Sequence, residues 1–355
     1  VTLIARQLRR AAGAALAAAF LAAFARAEPS GGAFLTVQPS VRAYALGVSN
    51  VTAVGAQALG SNPANLGILS RRFELYTAYA NQYGGSAYGQ VAAAFDPGFQ
   101  QIPIDALGIS VTSLQTTGLQ SADASGNLTG GTFGAGDMAF AAAFSGHASD
   151  ALRFGATGKI IQSQIDGVRS NVAAAVDFGL TATFSTFSKK MSAGFNVDNL
   201  GAGLRYVGQT DPLPTSVNAG LAVPLGPVLG VLEFSDLVND GAASVGIGAE
   251  YGIGPAAFRL GVATQIGNPN GSNLAQQDQS GASRLLVGLT AGVGLRMGFA
   301  RLDYAVSQQA VDFGMTQRLG LTIDFGRTPS RDSAPHHYDP QRPDWYLGSG
   351  AQAAP

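Results

Sequence analysis

Leu285–Met297 reads LLVGLTAGVGLRM. Every second residue from Leu285 gives Leu, Val, Leu, Ala, Val, Leu and Met. The residues between are Leu, Gly, Thr, Gly, Gly and Arg. A period of two belongs to an extended strand, whose side chains alternate between its faces. One face here is apolar throughout. The other is small, polar and singly charged. A lipid-facing wall backed by a watery or plugged lumen asks for that pair of faces.

The pattern recurs. In 316–325, TQRLGLTIDF, Leu319, Leu321, Ile323 and Phe325 oppose Arg318, Gly320, Thr322 and Asp324. Val172 to Phe184 and the segments around Leu152, Phe258 and Ala300 alternate in the same way. About fourteen such segments are expected, near 72–83, 85–95, 105–118, 135–146, 150–165, 169–184, 188–198, 215–224, 227–235, 242–252, 255–266, 283–297, 299–309 and 316–325. Most run about ten residues, the ~9–11 that a tilted strand needs to cross a bilayer. Globular strands are shorter, typically ~5–6.

The connections fit hairpins. SGHASD (145–150) and GIGPAA (252–257) read as short turns; GLQSADASGNLTGG (118–131) and GNPNGSNLAQQDQSG (267–281) read as long polar loops. Phe73, Tyr83, Phe95, Phe144, Phe184, Phe187, Tyr251, Phe299 and Phe325 lie near strand ends, as interface girdles require.

Composition agrees. The 355 residues hold 48 glycines, about twice the ordinary ~7%. Charged residues are 12%, about half the usual ~25%. Lys+Arg number 21 against 22 Asp+Glu, which gives no electrostatic case for nucleic acid. With no cysteine, disulfides and thiolate chemistry are excluded.

Residues 1–27 read as an export signal. Arg6, Arg9 and Arg10 precede an apolar run, and Ala25-Arg26-Ala27 is a cleavage pattern. The run is about 15 residues, short of the ~20 that a spanning helix needs. Residues 34–70 lack sustained alternation. Residues 71–326 form the barrel. Residues 327–355 are a Pro-rich, loose tail.

Three blocks resemble the PorV/PorQ family of bacterial outer-membrane proteins, within the broader FadL-like (OMPP1/TodX) barrels. VRAYALGVSNVTAVGAQALGSNPANLGIL (41–69) is similar to the family's N-terminal block, with its Asn-Pro-Ala-x-Leu signature. FNVDNLGAGLRYVGQTDPLPTSVNAGLAV (195–223) resembles its mid-barrel block. GLTAGVGLRMGFARLDYAVS followed by TQRLGLTIDFG resembles its closing strands. The resemblance implies an all-β, antiparallel transmembrane barrel of about fourteen strands, with residues 28–70 as an N-terminal hatch inside the lumen. It implies a place in the bacterial outer membrane, with lipid and the barrel-insertion machinery as partners. The tail after Phe325 departs from barrels that end on the last strand's aromatic.

In the hatch, Asn62 is suited to cap a helix beginning at Pro63, and Ala64 and Leu66 to pack on small lumen residues. The expected lumen-facing charges are Arg153, Lys159, Asp177, Glu250, Arg259, Arg296, Arg301, Asp303, Arg318 and Asp324. They are read as mutual ion pairs, with Asp303 and Asp324 partnering Arg301 and Arg318. No catalytic constellation, cofactor motif or metal-ligand spacing is expected; His336, His337 and Asp339 fall in the tail. The resemblance implies an accessory for protein secretion or surface attachment of the type IX kind, with a secreted cargo or translocon as partner. The alternative is a FadL-like channel for long-chain fatty acids or other hydrophobic solutes. The polar loop 267–281 favours the first. A third reading is a structural barrel.

Overall fold

A computed structural model describes residues 30–48, 50–82, 85–99, 101–123, 125–186, 189–266, 288–308 and 315–326. The expected export signal, the loop 267–281, residues 283–287 of the opening strand and the tail lie outside them. No helix among the described residues is long and apolar enough to cross a membrane.

Fourteen strands close into one antiparallel barrel. In chain order they are β1 (Phe73–Asn81), β2 (Ser86–Phe95), β3 (Ile104–Ala122), β4 (Leu128–Ser149) and β5 (Leu152–Ile165). Then come β6 (Ala173–Thr186), β7 (Lys189–Gly201), β8 (Ser216–Leu225), β9 (Val228–Leu237) and β10 (Ala242–Ile253). The last are β11 (Ala256–Ile266), β12 (Leu289–Met297), β13 (Ala300–Gln308) and β14 (Met315–Phe325). Each pairs with its neighbours in sequence, and β1 pairs with β14. At that seam Phe73 sits opposite Phe325, with ring centroids 5.9 Å apart. Closure leaves no sheet edge, the condition for a sheet in hydrocarbon. The expected fold and its fourteen strands are those observed. A short pair, Leu204–Tyr206 with Gln209–Asp211, crosses the β7–β8 connection.

One expected loop is a hairpin instead. β3 and β4 run past the expected ends of their segments and pair from Leu119–Phe133 to Ala122–Leu128, leaving only residues 123–127 between them. Most of this extension is exposed on both faces, so its sequence carries no apolar alternation and reads as a loop.

Most turns at the Phe73/Phe325 end are tight, as between β4 and β5 or β10 and β11, the β2–β3 connection over 96–103 being the exception. Connections at the opposite end are longer on the whole, the asymmetry of outer-membrane barrels. Phe95, Phe144, Phe184, Tyr251, Phe299 and Phe325 are exposed at the tight-turn rim and form a single girdle there. Tyr83 and Phe187 lie outside the described residues.

The outer wall is apolar. Val91, Val111, Phe140 and Ile160 are direct cross-strand neighbours on four successive strands, and all four are exposed. On β12, Val293, Leu295 and Met297 face out while Thr290 and Arg296 are buried inward. The outward row is the apolar face of the opening stretch.

Candidate functional site: the occupied lumen

Residues 30–70 lie inside the barrel and run its length. At the long-connection end, Ser30 N and Oγ donate to Asp240 at 2.9 and 2.7 Å. At the other end, Gly67 sits against Asp105 and Ser145, and the chain then enters β1. Between them are one short α-helix, α1 (Val41–Ala45), and 3-10 turns at Ala33–Thr36, Gly55–Ala58 and Pro63–Asn65. Ser40 caps α1 by accepting from Ala43 N at 3.2 Å.

The small inward residues exist because this segment touches the wall. A Cβ on Gly261 would fall 2.7 Å from Gly47 N, and one on Gly155 2.5 Å from the Pro63 carbonyl carbon. Either contact is closer than packed atoms allow, so an alanine at those positions would push the segment off the wall. Leu66 packs over Gly108 in the same way.

Asn62 does what its sequence position suggests, and more. Its Oδ1 accepts from Ala64 N at 3.0 Å, with Pro63 first in the turn. Its Nδ2 donates to Asn50 Oδ1 at 2.8 Å and lies within reach of Leu180 O and Thr181 Oγ1. Asn65 completes the knot by accepting from Thr181 Oγ1 at 2.7 Å and donating to Asn50 O at 2.7 Å. A 3-10 segment has few internal bonds, so these side chains satisfy groups that a longer helix would satisfy itself.

The expected lumen charges all lie on inward strand positions. Three strands, β10, β11 and β13, bring Glu250, Arg259, Asp303 and Arg301 into one chain of ion pairs. Arg259 donates to Glu250 at 2.7 Å and to Asp303 at 2.8 Å. Arg301 donates to Asp303 at 3.2 Å and to Thr322 Oγ1 at 2.9 Å. The segment joins this chain at both ends. Arg42, on α1, grips Glu250 through two bonds of 2.8 and 2.9 Å. Gln57 donates to Thr322 Oγ1 at 3.1 Å and accepts from Ser40 Oγ at 2.6 Å. Such two-point guanidinium–carboxylate bonds are among the stronger polar contacts, and fixed geometry is what offsets the desolvation of buried charge.

Elsewhere Lys159 pairs with Asp177 at 2.8 Å and donates to Asn199 at 2.8 Å. Arg153 sits at the tight-turn end of β5, in register with His147 and Thr181. Arg318 is not Asp324's partner. Six residues separate them on one strand, roughly 20 Å at ~3.3 Å per residue. Asp324 instead meets Arg296 at 3.4 Å. Arg318 donates to the Gln38 carbonyl and stacks 3.5 Å over the Tyr44 ring, so it too holds the segment.

Three anchors were not legible as such. Arg42 is the only charged residue between 30 and 70, and that isolation was the available signal. Glu74, inward on β1, accepts from Ala56 N at 2.8 Å. Glu233, inward on β9, accepts from Asn50 N at 2.5 Å. Among the described residues no group of three or more His, Cys, Asp or Glu is placed to hold a metal. His336, His337 and Asp339 lie outside them.

The long-connection end of the lumen is greasy. Phe34, Ile161, Ala173, Leu204 and Leu213 form a buried cluster there, flanked by Leu35 and Leu114. Below it lies a cavity of about 30 Å³, with Phe34, Val37 and Pro39 on one side and Tyr88, Gln90, Thr112 and Lys159 on the other. That volume takes a water molecule, not a solute ring.

No family model and no curated protein matches the chain. Solved structures do. The toluene transporter TodX of Pseudomonas putida aligns with a TM-score of 0.52 at 13% identity, covering 80% of this chain and 96% of TodX. The fold is that of TodX. A second TodX crystal structure gives 0.51 at 12% identity, over 77% and 95% of the two chains. A TodX deltaS2S3 mutant described as a monoaromatic hydrocarbon channel gives 0.51 at 14%, over 76% and 95%. The architecture is thus one found in bacterial outer-membrane proteins. The PorV/PorQ assignment gains no family match.

Proposed function

We propose that the chain is an outer-membrane channel for small hydrophobic solutes, with residues 30–70 as the hatch that closes it. It works by passage and needs no catalytic group. The observation that carries this is the buried apolar cluster of Phe34, Ile161, Leu204 and Leu213 inside the loop end of the lumen. A greasy entrance above a water-sized cavity suits capture of an apolar solute, followed by movement of the segment beneath it. The polar loop 267–281 pointed away from such a site, but the apolar lining comes from the wall, the hatch and the β7–β8 connection.

The likeness to TodX, described as a toluene transporter, favours this reading over a secretion accessory, for which only the polar loop 267–281 speaks. An apolar solute crosses plain phospholipid unaided, so the test uses cells, where the lipopolysaccharide leaflet slows passive entry. Uptake of radiolabelled toluene is expected to rise when the chain is present in the outer membrane. Uptake equal to that of cells without it would overturn the proposal.

A further inference from the structure

Resting on the channel reading, we propose that Gln90 recognises an O–H group on the solute. The channel then favours apolar molecules bearing a hydroxyl over bare hydrocarbons of the same size.

Gln90 is inward on β2, is 2% exposed and lines the 30 Å³ cavity. Its Nε2 donates to Leu59 O at 2.8 Å and to Thr112 Oγ1 at 3.2 Å. A backbone carbonyl only accepts, so the amide orientation is fixed. Oε1 is left as a buried acceptor with no donor from the protein. Buried acceptors are normally satisfied, and one that lines a cavity points to a donor arriving from outside.

The cavity defines the rest of the ligand. Phe34, Val37 and Pro39 form its other side and call for an apolar body. Lys159 is the one cation on the lining, and its ammonium is directed to Asp177 and Asn199. The lining therefore does not call for an anion. A neutral alcohol or phenol matches that lining once the hatch moves to widen the water-sized space, with its O–H on Gln90 Oε1 and its hydrocarbon on the hatch. Without solute, a water fills the space and the bond. A bare hydrocarbon displaces that water and leaves Oε1 unpaired, and this mismatch supplies the discrimination.

The test compares uptake of radiolabelled p-cresol and toluene by cells carrying the wild-type chain, Gln90→Leu or Gln90→Met, with cells lacking the chain subtracted. Two apolar replacements guard against one that fails to fold, and heat-modifiable mobility in detergent reports the closed barrel. Wild type is expected to pass p-cresol faster than toluene. Each variant should lower the cresol-to-toluene ratio by about fivefold, with toluene uptake close to wild type. A wild-type ratio without preference, or an unchanged ratio in both folded variants, overturns the role of Gln90 and leaves the channel standing. Absence of chain-dependent uptake for either solute overturns both.

Discussion

Arg42 and Glu250 are 208 positions apart in sequence, yet they meet through two bonds of 2.8 and 2.9 Å with neither side chain reached by solvent. One sits on the only α-helix among the described residues, the other on the barrel wall. Glu250 also serves Arg259, so this carboxylate joins the hatch to the chain of ion pairs across β10, β11 and β13. Glu250→Gln leaves two buried guanidiniums short of their counter-charge. A loss of about 3–5 kcal/mol is predicted, read as a lower urea midpoint in detergent micelles. The pair Arg42→Met with Glu250→Met should recover part of that loss, since removing both charges spares the uncompensated one.

Asn62 is the second anchor. Asn62→Ala removes the cap on Ala64 N and the bonds to Asn50 and Thr181. The expected cost is about 1–3 kcal/mol, local to the hatch. Hydrogen exchange should quicken at residues 62–66 while the strand amides stay protected. Uniform quickening across the strands would contradict this.

Much of the fold could be read in the sequence because a barrel wall in lipid imposes period two on nearly every strand. Leu319, Leu321 and Ile323 announce their face without help from tertiary context. Where water bathes both faces, as in most of 119–122 and 128–133, that constraint vanishes and so does the signal. The hatch was legible through Asn62-Pro63, which act on their own neighbours. Its long-range anchors were not. Arg42, Glu74 and Glu233 find partners far away in sequence, and no spacing reports such a meeting. Pairing Arg318 with Asp324 failed for a local reason, because charges six residues apart on one strand face cannot touch. The actual partner of Asp324, Arg296, lies two strands away.

The outer wall offers a separate check. Ile160 lies mid-strand on β5, exposed between Phe140 and Ala174. Ile160→Arg places a cation in hydrocarbon and should cost about 2–4 kcal/mol in phospholipid vesicles. The same substitution at Val168, on the exposed connection beyond β5, should cost little.

The hairpin tip is predicted to respond to acid. The Asp123 carboxylate accepts from the Ser125 and Asn127 amides, each at 2.9 Å, and from the Asn127 side chain at 3.3 Å. These donors hold its pKa below the usual aspartate range, the Asn127 amide first among them. A depressed folded-state pKa means that the bonds are fully present above the ordinary aspartate value of ~3.9. They are lost as pH falls through the lowered one. Amide exchange at Ser125 and Asn127, corrected for its intrinsic pH dependence, should therefore stay protected at pH 5 and lose protection only in stronger acid. Loss of protection above pH 5 would contradict the assignment.

The central claim is that residues 30–70 thread the lumen, and a chain with no native cysteine allows a clean test. A Cβ on Gly320, inward on β14, would lie 3.2 Å from Val41 Cβ, close to the ~3.5–4.5 Å of a disulfide. Val41→Cys with Gly320→Cys, oxidised in native outer membranes and mapped by peptide mass, should cross-link nearly completely. Val41→Cys with Leu319→Cys, whose second cysteine faces outward, should not. Equal cross-linking in the two pairs, or none in the first, would mean that the segment lies outside the barrel.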